Sequence, residues 1–364
     1  MQNLASNLSS NCYTLYIQDK ISQMLGNVIF ISGIARDIVN RSSSFAKLAS
    51  IEAYKLSKIF HINETNKVQI KGAKINKNSF QKAKFSKAKS NKILAKKNLG
   101  QNFLSDITIM EKIIQAIPSN IAESIVKGQM RLIEVGIGLG DLTKRFALEY
   151  PLLCYEIDKR LIDLAKDSLA DELLANRITI EHADALHIRC GDGYLFNSPY
   201  FLVSNLPYYI ATTIILQTFR DSLCQGFVVM TQEEVARKFC AKTSNKEFCA
   251  LSVIAEILGK VEYLFCVSPE SFTPRPKVNS AVFRFMRERN ALPEYLESTL
   301  KHAFLSPRKR LFSNLATWDF LGRDGAQYIF DRLNFTEMIR AHEVSSKEYC
   351  KITQLIAALK KDRK

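Results

Sequence analysis

A glycine-rich turn between two segments of opposite periodicity constrains this chain more than any other feature. Glu134-Val135-Gly136-Ile137-Gly138-Leu139-Gly140 follows an apolar run over 131–135 and precedes residues of helical spacing over 142–148. Glycines let a backbone turn tightly and approach a ligand without a Cβ clash, and a helix start offers N–H groups without intrahelical partners. The alternation continues with a strand over 152–156, a helix over 159–169, strands over 177–181 and 200–204, a helix over 211–219 and a strand over 226–230. Strands alternating with helices specify an α/β fold with a mostly parallel sheet covered on both faces. Two later β-rich runs, 260–267 and 278–286, are expected to finish the sheet as a hairpin-like edge. Upstream, Ser105-Asp106 can cap a helix whose apolar positions are Ile107, Met110, Ile113, Ile114 and Ile117. After Pro293 the pattern is helical to the end.

Three segments follow: an extension over 1–90, an α/β domain over 91–290 and a small C-terminal α-helical domain over 291–364. Charge separates the first from the rest. Of the net +15, residues 1–90 hold +10, from 14 Lys+Arg against 4 Asp+Glu. Between residues 67 and 97 stand eleven lysines and no acid. Such a stretch buries too little apolar surface to offset its ordering entropy, and reads as a flexible basic tether able to lie on phosphates, or as a solvated linker. A mitochondrial transit peptide fits less well, because the region favours Lys over Arg and carries acids. No apolar run reaches the roughly 18 residues of a membrane span, so a soluble protein without membrane partners is expected. The eight cysteines form no C-x-x-C pair and the five histidines no metal-ligand spacing, which points to reduced thiols and no metal site.

The turn alone fits a structural role, a dinucleotide or another nucleoside ligand. Its spacing is G-x-G-x-G, whereas the dinucleotide fingerprint is G-x-G-x-x-G, which favours a nucleoside with an amino-acid tail over a pyrophosphate. Glu156 ends the next strand, twenty residues after Gly136, where a carboxylate can accept both hydroxyls of a ribose. Asp184 follows the third strand, at the sheet's carboxyl edge, and is suited to accept from an adenine amine.

The fourth strand runs into Asn205-Leu206-Pro207-Tyr208. An exocyclic adenine amine is a poor nucleophile because its lone pair is delocalised into the ring. The Asn205 carboxamide oxygen and the Leu206 carbonyl can both accept its N–H bonds, which draws the nitrogen toward tetrahedral geometry and localises the lone pair for in-line attack on a sulfonium methyl. Pro207 stiffens the turn and biases Leu206 away from helical geometry. Tyr208 offers a face on which an extruded base can stack. With an activated donor, the protein has mainly to position and orient, and needs no strong general base.

Taken together, Lys97-Asn98-Leu99-Gly100-Gln101-Asn102-Phe103-Leu104, the glycine turn, Tyr155-Glu156-Ile157-Asp158 and Asn205-Leu206-Pro207-Tyr208 resemble the small-subunit ribosomal RNA adenine dimethyltransferases, the family linked to kasugamycin sensitivity. Ser271-Phe272-Thr273-Pro274-Arg275-Pro276-Lys277-Val278-Asn279-Ser280-Ala281-Val282 and Ala303-Phe304-Leu305-Ser306-Pro307-Arg308-Lys309-Arg310 are similar to its later signatures, so the resemblance covers roughly residues 95–360. It implies a Rossmann-like class I methyltransferase fold and an S-adenosyl-L-methionine site using Asn102, Leu104, Gly136, Glu156, Asp184 and Asn205. It also implies dimethylation of two adjacent adenosines in the 3′-terminal hairpin loop of 16S rRNA, on the immature 30S subunit, by a cytoplasmic monomer. The chain departs from the family pattern at Ile137, where proline is usual, at Tyr209, where asparagine is usual, and at Phe248-Cys249, where Tyr-Gly is usual. The last change reads as packing.

Arg275 and Lys277 lie on a proline-stiffened segment expected to border the active-site mouth, and Arg308, Lys309 and Arg310 lie in the helical C-terminal part. Beside an adenine-methylating motif, phosphate contact is the better reading of both groups than a solvated face. Three alternatives stand beside this one. A 23S rRNA adenine methyltransferase of macrolide-resistance type shares the cofactor and the Asn-Leu-Pro-Tyr logic. A non-enzymatic RNA-binding relative shares the fold. A nicotinamide-dependent dehydrogenase would share the glycine turn.

Overall fold

The computed structural model describes residues 101–362. The basic extension over 1–90, the tether over 67–97 and Lys97 to Gly100 of the first motif lie outside the described residues.

Within them, a short strand β1 (Phe103–Leu104) leads into helices α1 (Ile107–Gln115) and α2 (Ser119–Val126). The α/β alternation then runs β2 (Arg131–Val135), α3 (Asp141–Phe146), β3 (Leu152–Glu156), α4 (Lys159–Ser168), α5 (Ala170–Leu174), β4 (Ile178–His182), β5 (Tyr200–Asn205), α6 (Ala211–Arg220) and β6 (Cys224–Gln232). Helices α7 (Glu233–Cys240) and α8 (Ala250–Leu258) precede β7 (Gly259–Val267), β8 (Phe272–Thr273) and β9 (Ser280–Arg287). Four helices close the chain: α9 (Leu296–Ala303), α10 (Leu311–Ala316), α11 (Gly322–Leu333) and α12 (Ser346–Asp362).

The main sheet has the order β4-β3-β2-β5-β6-β9-β7, parallel from β4 to β6 and antiparallel from β6 through β9 to β7. The expected hairpin-like edge is present, with the later strand on the inside. β9 inserts between β6 and β7, which leaves β7 as the edge. The chain leaves β2 outward through β3 and β4, then returns to place β5 on the other side of β2. That reversal opens a crevice between the carboxyl ends of β2 and β5, the position at which open α/β sheets bind ligands.

Alternation along the strands builds two apolar layers. Leu132, Leu152, Cys154, Phe201, Val203 and Val228 face one layer, with Met110, Ile113, Ile125 and Phe146 of the covering helices. Their neighbours Ile133, Leu153, Tyr155, Leu202 and Val229 face the other, with Ile214, Phe219 and Phe239. Each fully buried side chain of this kind contributes about 1.5–3 kcal/mol relative to exposure. The second layer continues without a break into the C-terminal helices through Leu300, Leu311, Phe330, Tyr349 and Ile356.

Asp106 caps α1 as expected, its carboxylate accepting from the backbone N–H groups of Thr108 and Ile109. Ile107, counted with the apolar face of this helix, is instead 52% exposed, and the buried face begins at Met110. Phe248 is buried in the core and Cys249 caps α8, its N–H donating to Ser252 Oγ at 3.0 Å. The seven cysteines among the described residues are unpaired. No described helix is long and apolar enough to cross a membrane.

Candidate active site

A cavity open to solvent lies over the carboxyl ends of β2, β3, β4 and β5. Its walls include Asn102, Leu104, Gly136, Glu156, Asp184, Asn205, Leu206, Pro207 and Tyr208. All nine residues singled out in the sequence for cofactor binding or chemistry therefore meet in one place.

The glycine turn forms the floor. Gly136 has φ +81°, in the left-handed region, and its N–H donates to the Tyr155 carbonyl at 2.8 Å. A Cβ there would reach the Pro207 ring at 3.6 Å, an ordinary contact, so it is the left-handed backbone and not crowding that calls for glycine. Glu156 ends β3 almost fully buried. Its Oε2 accepts from the Gly138 N–H at 3.2 Å and its Oε1 from the Asp158 N–H at 2.9 Å. Burial raises its pKa above the ordinary carboxylate value, and the backbone N–H bonds pull the other way.

Asp184 stands just beyond β4. Its Oδ1 accepts from the Leu186 N–H at 3.0 Å, and its Oδ2 lies 3.0 Å from Nδ1 of the exposed His187. At the end of β5, Asn205 Nδ2 donates to the backbone carbonyl of Asn102 at 3.2 Å, and the Leu206 N–H donates to the Met230 carbonyl at 3.0 Å. The Tyr208 hydroxyl lies 2.6 Å from Oγ of Ser280, a fully buried residue that begins β9. The inserted antiparallel strand thus holds the ring proposed for base stacking. Tyr209 is 52% exposed at the cavity wall, and burial followed by the nearby Asp184 and Glu156 charges raises its pKa.

Several wall residues carried no role in the sequence reading, Asp141, Leu161 and Glu134 among them. Glu134, next to last in β2, is 1% exposed and lines the cavity. The signal available was a lone acid inside an apolar strand, which a turn-centred reading assigns to the glycine motif. Burial pushes its carboxyl up to about 8, against weaker lowering by the Thr143 hydroxyl, which donates at 2.6 Å, and by the Cys154 thiol. Between the ordinary value of 4.5 and about 8, the folded chain holds a proton that the unfolded chain releases. Folding stability therefore falls as pH rises through that window, with a slope of up to about 1.4 kcal/mol per pH unit. Glu134→Gln removes this component. Melting curves at several pH values should show the variant gaining on wild type as pH rises, and an offset independent of pH would contradict the buried proton.

The five cations singled out for RNA contact, Arg275, Lys277, Arg308, Lys309 and Arg310, are all exposed and none lines the cavity. Arg275 and Lys277 follow β8, which pairs antiparallel with β1 of the cavity wall. Arg308 and Lys309 do not lie on a helix, contrary to the helical reading of that run. They occupy the turn between α9 and α10, with Arg310 as the N-cap. Proline at 307 ends the preceding helical pattern, and buried Asn314 holds the turn by donating to the carbonyls of Ala303 and Ser306 at 2.7 and 3.1 Å. Among the described residues no group of three or more His, Cys, Asp or Glu side chains is arranged to hold a metal ion.

A mostly parallel seven-stranded sheet with its cavity at the β2/β5 reversal defines a Rossmann-like class I methyltransferase fold. The fold is similar to that of a dimethyladenosine transferase from Plasmodium falciparum, with TM-score 0.59 and 19% identity over 71% of this chain and 98% of that one. The 23S rRNA methyltransferase ErmE shares it at TM-score 0.52 and 23% identity, over 70% of this chain and 100% of that one. In sequence, residues 92–358 match the family described as Ribosomal RNA adenine dimethylase, and this chain belongs to that family. Among its curated relatives, the ribosomal RNA small subunit methyltransferase A of Helicobacter hepaticus is 42% identical over 268 residues, covering 72% of this chain and 91% of the relative. The protein of the same name from Campylobacter hominis is 43% identical over 267 residues, covering 71% and 95%. Membership in this family removes the dehydrogenase alternative.

Proposed function

We propose that the chain dimethylates the N6 amines of two adjacent adenosines in the 3′-terminal hairpin loop of 16S rRNA, using S-adenosyl-L-methionine. The proposed setting is the immature 30S subunit in the cytoplasm, with the enzyme acting as a monomer. One observation carries the chemical reading: Asn205, Leu206, Pro207 and Tyr208 share a single cavity with Gly136 and Glu156.

The residues present fit the cofactor. The left-handed φ at Gly136 suits glycine at the turn, and Glu156 offers a buried carboxylate at the end of β3 for ribose hydroxyls. Asp184 would accept from the adenine amine, and Asn102 and Leu104 would cover the ligand from the N-terminal side. Bound there, S-adenosyl-L-methionine supplies a methyl group carried on a cationic sulfonium, already activated for transfer. The protein's share is orientation. The Asn205 carboxamide oxygen and the Leu206 carbonyl accept the two N–H bonds of the target amine and localise its lone pair. Tyr208 stacks on the extruded base.

Arg275, Lys277, Arg308, Lys309 and Arg310 would meet RNA phosphates, and the α-helical segment over 291–364 would form an RNA-facing part of the protein. Replacing Arg308, Lys309 and Arg310 together by alanine should weaken binding to 30S subunits and flatten its log–log salt dependence by about two to three units. Filter binding across a salt series measures this, and an unchanged slope would remove the three cations from the contact.

The functional reading is tested by methyl transfer from labelled S-adenosyl-L-methionine to undermethylated 30S subunits, with modified nucleosides located by mass spectrometry. Two N6,N6-dimethyladenosines in the 3′-terminal hairpin are expected. Label confined to 23S RNA, in a parallel reaction with 50S subunits, would move the assignment to the resistance-type enzyme. No label despite cofactor binding would point to a non-enzymatic RNA-binding role.

A further inference from the structure

We infer that the backbone carbonyl of Asn102 is a positioning group for methyl transfer, because it sets which end of the Asn205 carboxamide is left for the target amine. The inference rests on the adenine N6 reading given above.

A carboxamide has a donor end and an acceptor end of nearly equal size, and only the acceptor end can serve an amine that offers N–H bonds. With χ2 free to turn over, Asn205 would spend much of its time presenting NH2 to an NH2. The Asn102 carbonyl removes that ambiguity. A carbonyl can only accept, so the group 3.2 Å away must be Nδ2, and the oxygen is the branch left for a ligand.

The carbonyl is itself held in place, although 103 residues separate it from Asn205. Gln101 Nε2 donates to Asp158 Oδ2 at 3.1 Å, and Phe103 and Leu104 pair with Thr273 and Phe272. The Ser105 N–H donates to the Ser271 carbonyl at 2.9 Å, and the Ser271 hydroxyl donates to Asp106 Oδ2 at 3.1 Å. Residues Gln101 to Leu104 also line the cavity. One strap therefore both covers the cofactor site and fixes the recognition side chain, which makes cofactor seating and amine recognition depend on the same backbone.

Asn205→Asp separates orientation from simple acceptance. The ionised carboxyl would turn an oxygen toward the Asn102 carbonyl and be repelled. The protonated carboxyl would donate to that carbonyl and present its other oxygen to the amine, as the native carboxamide does. Single-turnover methylation of 30S subunits by wild type, Asn205→Asp and Asn205→Ala is measured across pH, with cofactor affinity followed in parallel as a check on folding. The ratio of Asn205→Asp to wild-type rate should climb as pH falls, by up to about tenfold per pH unit while the carboxyl is mostly ionised. The Asn205→Ala ratio should stay flat. A pH-independent ratio for Asn205→Asp, whether near wild type or as low as alanine, overturns the inference. If wild type itself transfers no methyl to 30S RNA, the functional reading fails instead. The orientation is then judged from the Asn205 side-chain amide in the wild-type NMR spectrum, assigned by its loss in Asn205→Ala. Slow solvent exchange of one amide proton is expected, and rapid exchange of both would overturn the fixed orientation.

Discussion

Asn205→Ala should lower the rate of methyl transfer by about two to three orders of magnitude, the range seen when one preorganised hydrogen-bonding group at a reacting centre is removed. The loss falls on the chemical step. Without Oδ1 the target amine would keep one N–H unpaired, and its lone pair would remain delocalised into the ring. The Leu206 carbonyl stays in place, held by the Leu206 N–H bond to Met230, so recognition drops from two points to one. The turn also survives, because Pro207 continues to pack over Gly136. Cofactor affinity should therefore shift by less than about threefold, the scale of one modest hydrogen bond. Single-turnover kinetics with saturating cofactor measure the first effect and calorimetric titration the second. Wild-type turnover in the variant would remove Asn205 from amine recognition.

Glu156→Ala has the opposite signature. Its carboxylate is proposed to take two ribose hydroxyls, and hydrogen bonds to a charged acceptor contribute about 1.5–3 kcal/mol each. Losing both weakens cofactor binding by about a hundredfold or more, while the rate at saturating cofactor stays near wild type. The side chain also holds the turn from beneath, through the N–H groups of Gly138 and Asp158. Part of the measured loss is therefore a looser glycine turn. Glu156→Gln keeps one acceptor oxygen and should fall between alanine and wild type. Unchanged affinity in the alanine variant would exclude the ribose contact.

The two variants separate cleanly because they act on different walls of one cavity. Glu156 closes β3 on the wall proposed for the cofactor, and Asn205 closes β5 beside the strap. A variant that lost both affinity and rate together would instead mark damage to the crevice between β2 and β5.

Much of the site was legible because its parts are local. A strand end, a glycine at positive φ and an Asn-Leu-Pro-Tyr turn each carry their geometry within a few residues, so the positions of Gly136, Glu156, Asp184 and Asn205 at strand ends could be read in advance. The cations at 308–310 were assigned to a helix because the flanking apolar spacing is helical on both sides. Pro307 was the local signal against a continuous helix there, whereas the buried Asn314 bonds that hold the turn form only when α9 and α10 pack together. Glu134 was missed for a related reason. Its raised pKa is a product of burial on both faces of the sheet, which no local pattern reports.

By itself the sequence determined the α/β alternation, the glycine turn and the residue types whose chemistry suits an amine and a ribose, since period, turn chemistry and hydrogen-bonding capacity belong to neighbouring residues. Tertiary structure alone decided the rest. It inserted β9 between β6 and β7, which brings Ser280 to the Tyr208 hydroxyl. It paired β1 with β8, which fastens the strap over the cavity and turns the Asn102 carbonyl onto Asn205. These contacts join residues 72 and 103 positions apart, and only the packing of two apolar layers on one sheet can bring such distant donors and acceptors into register.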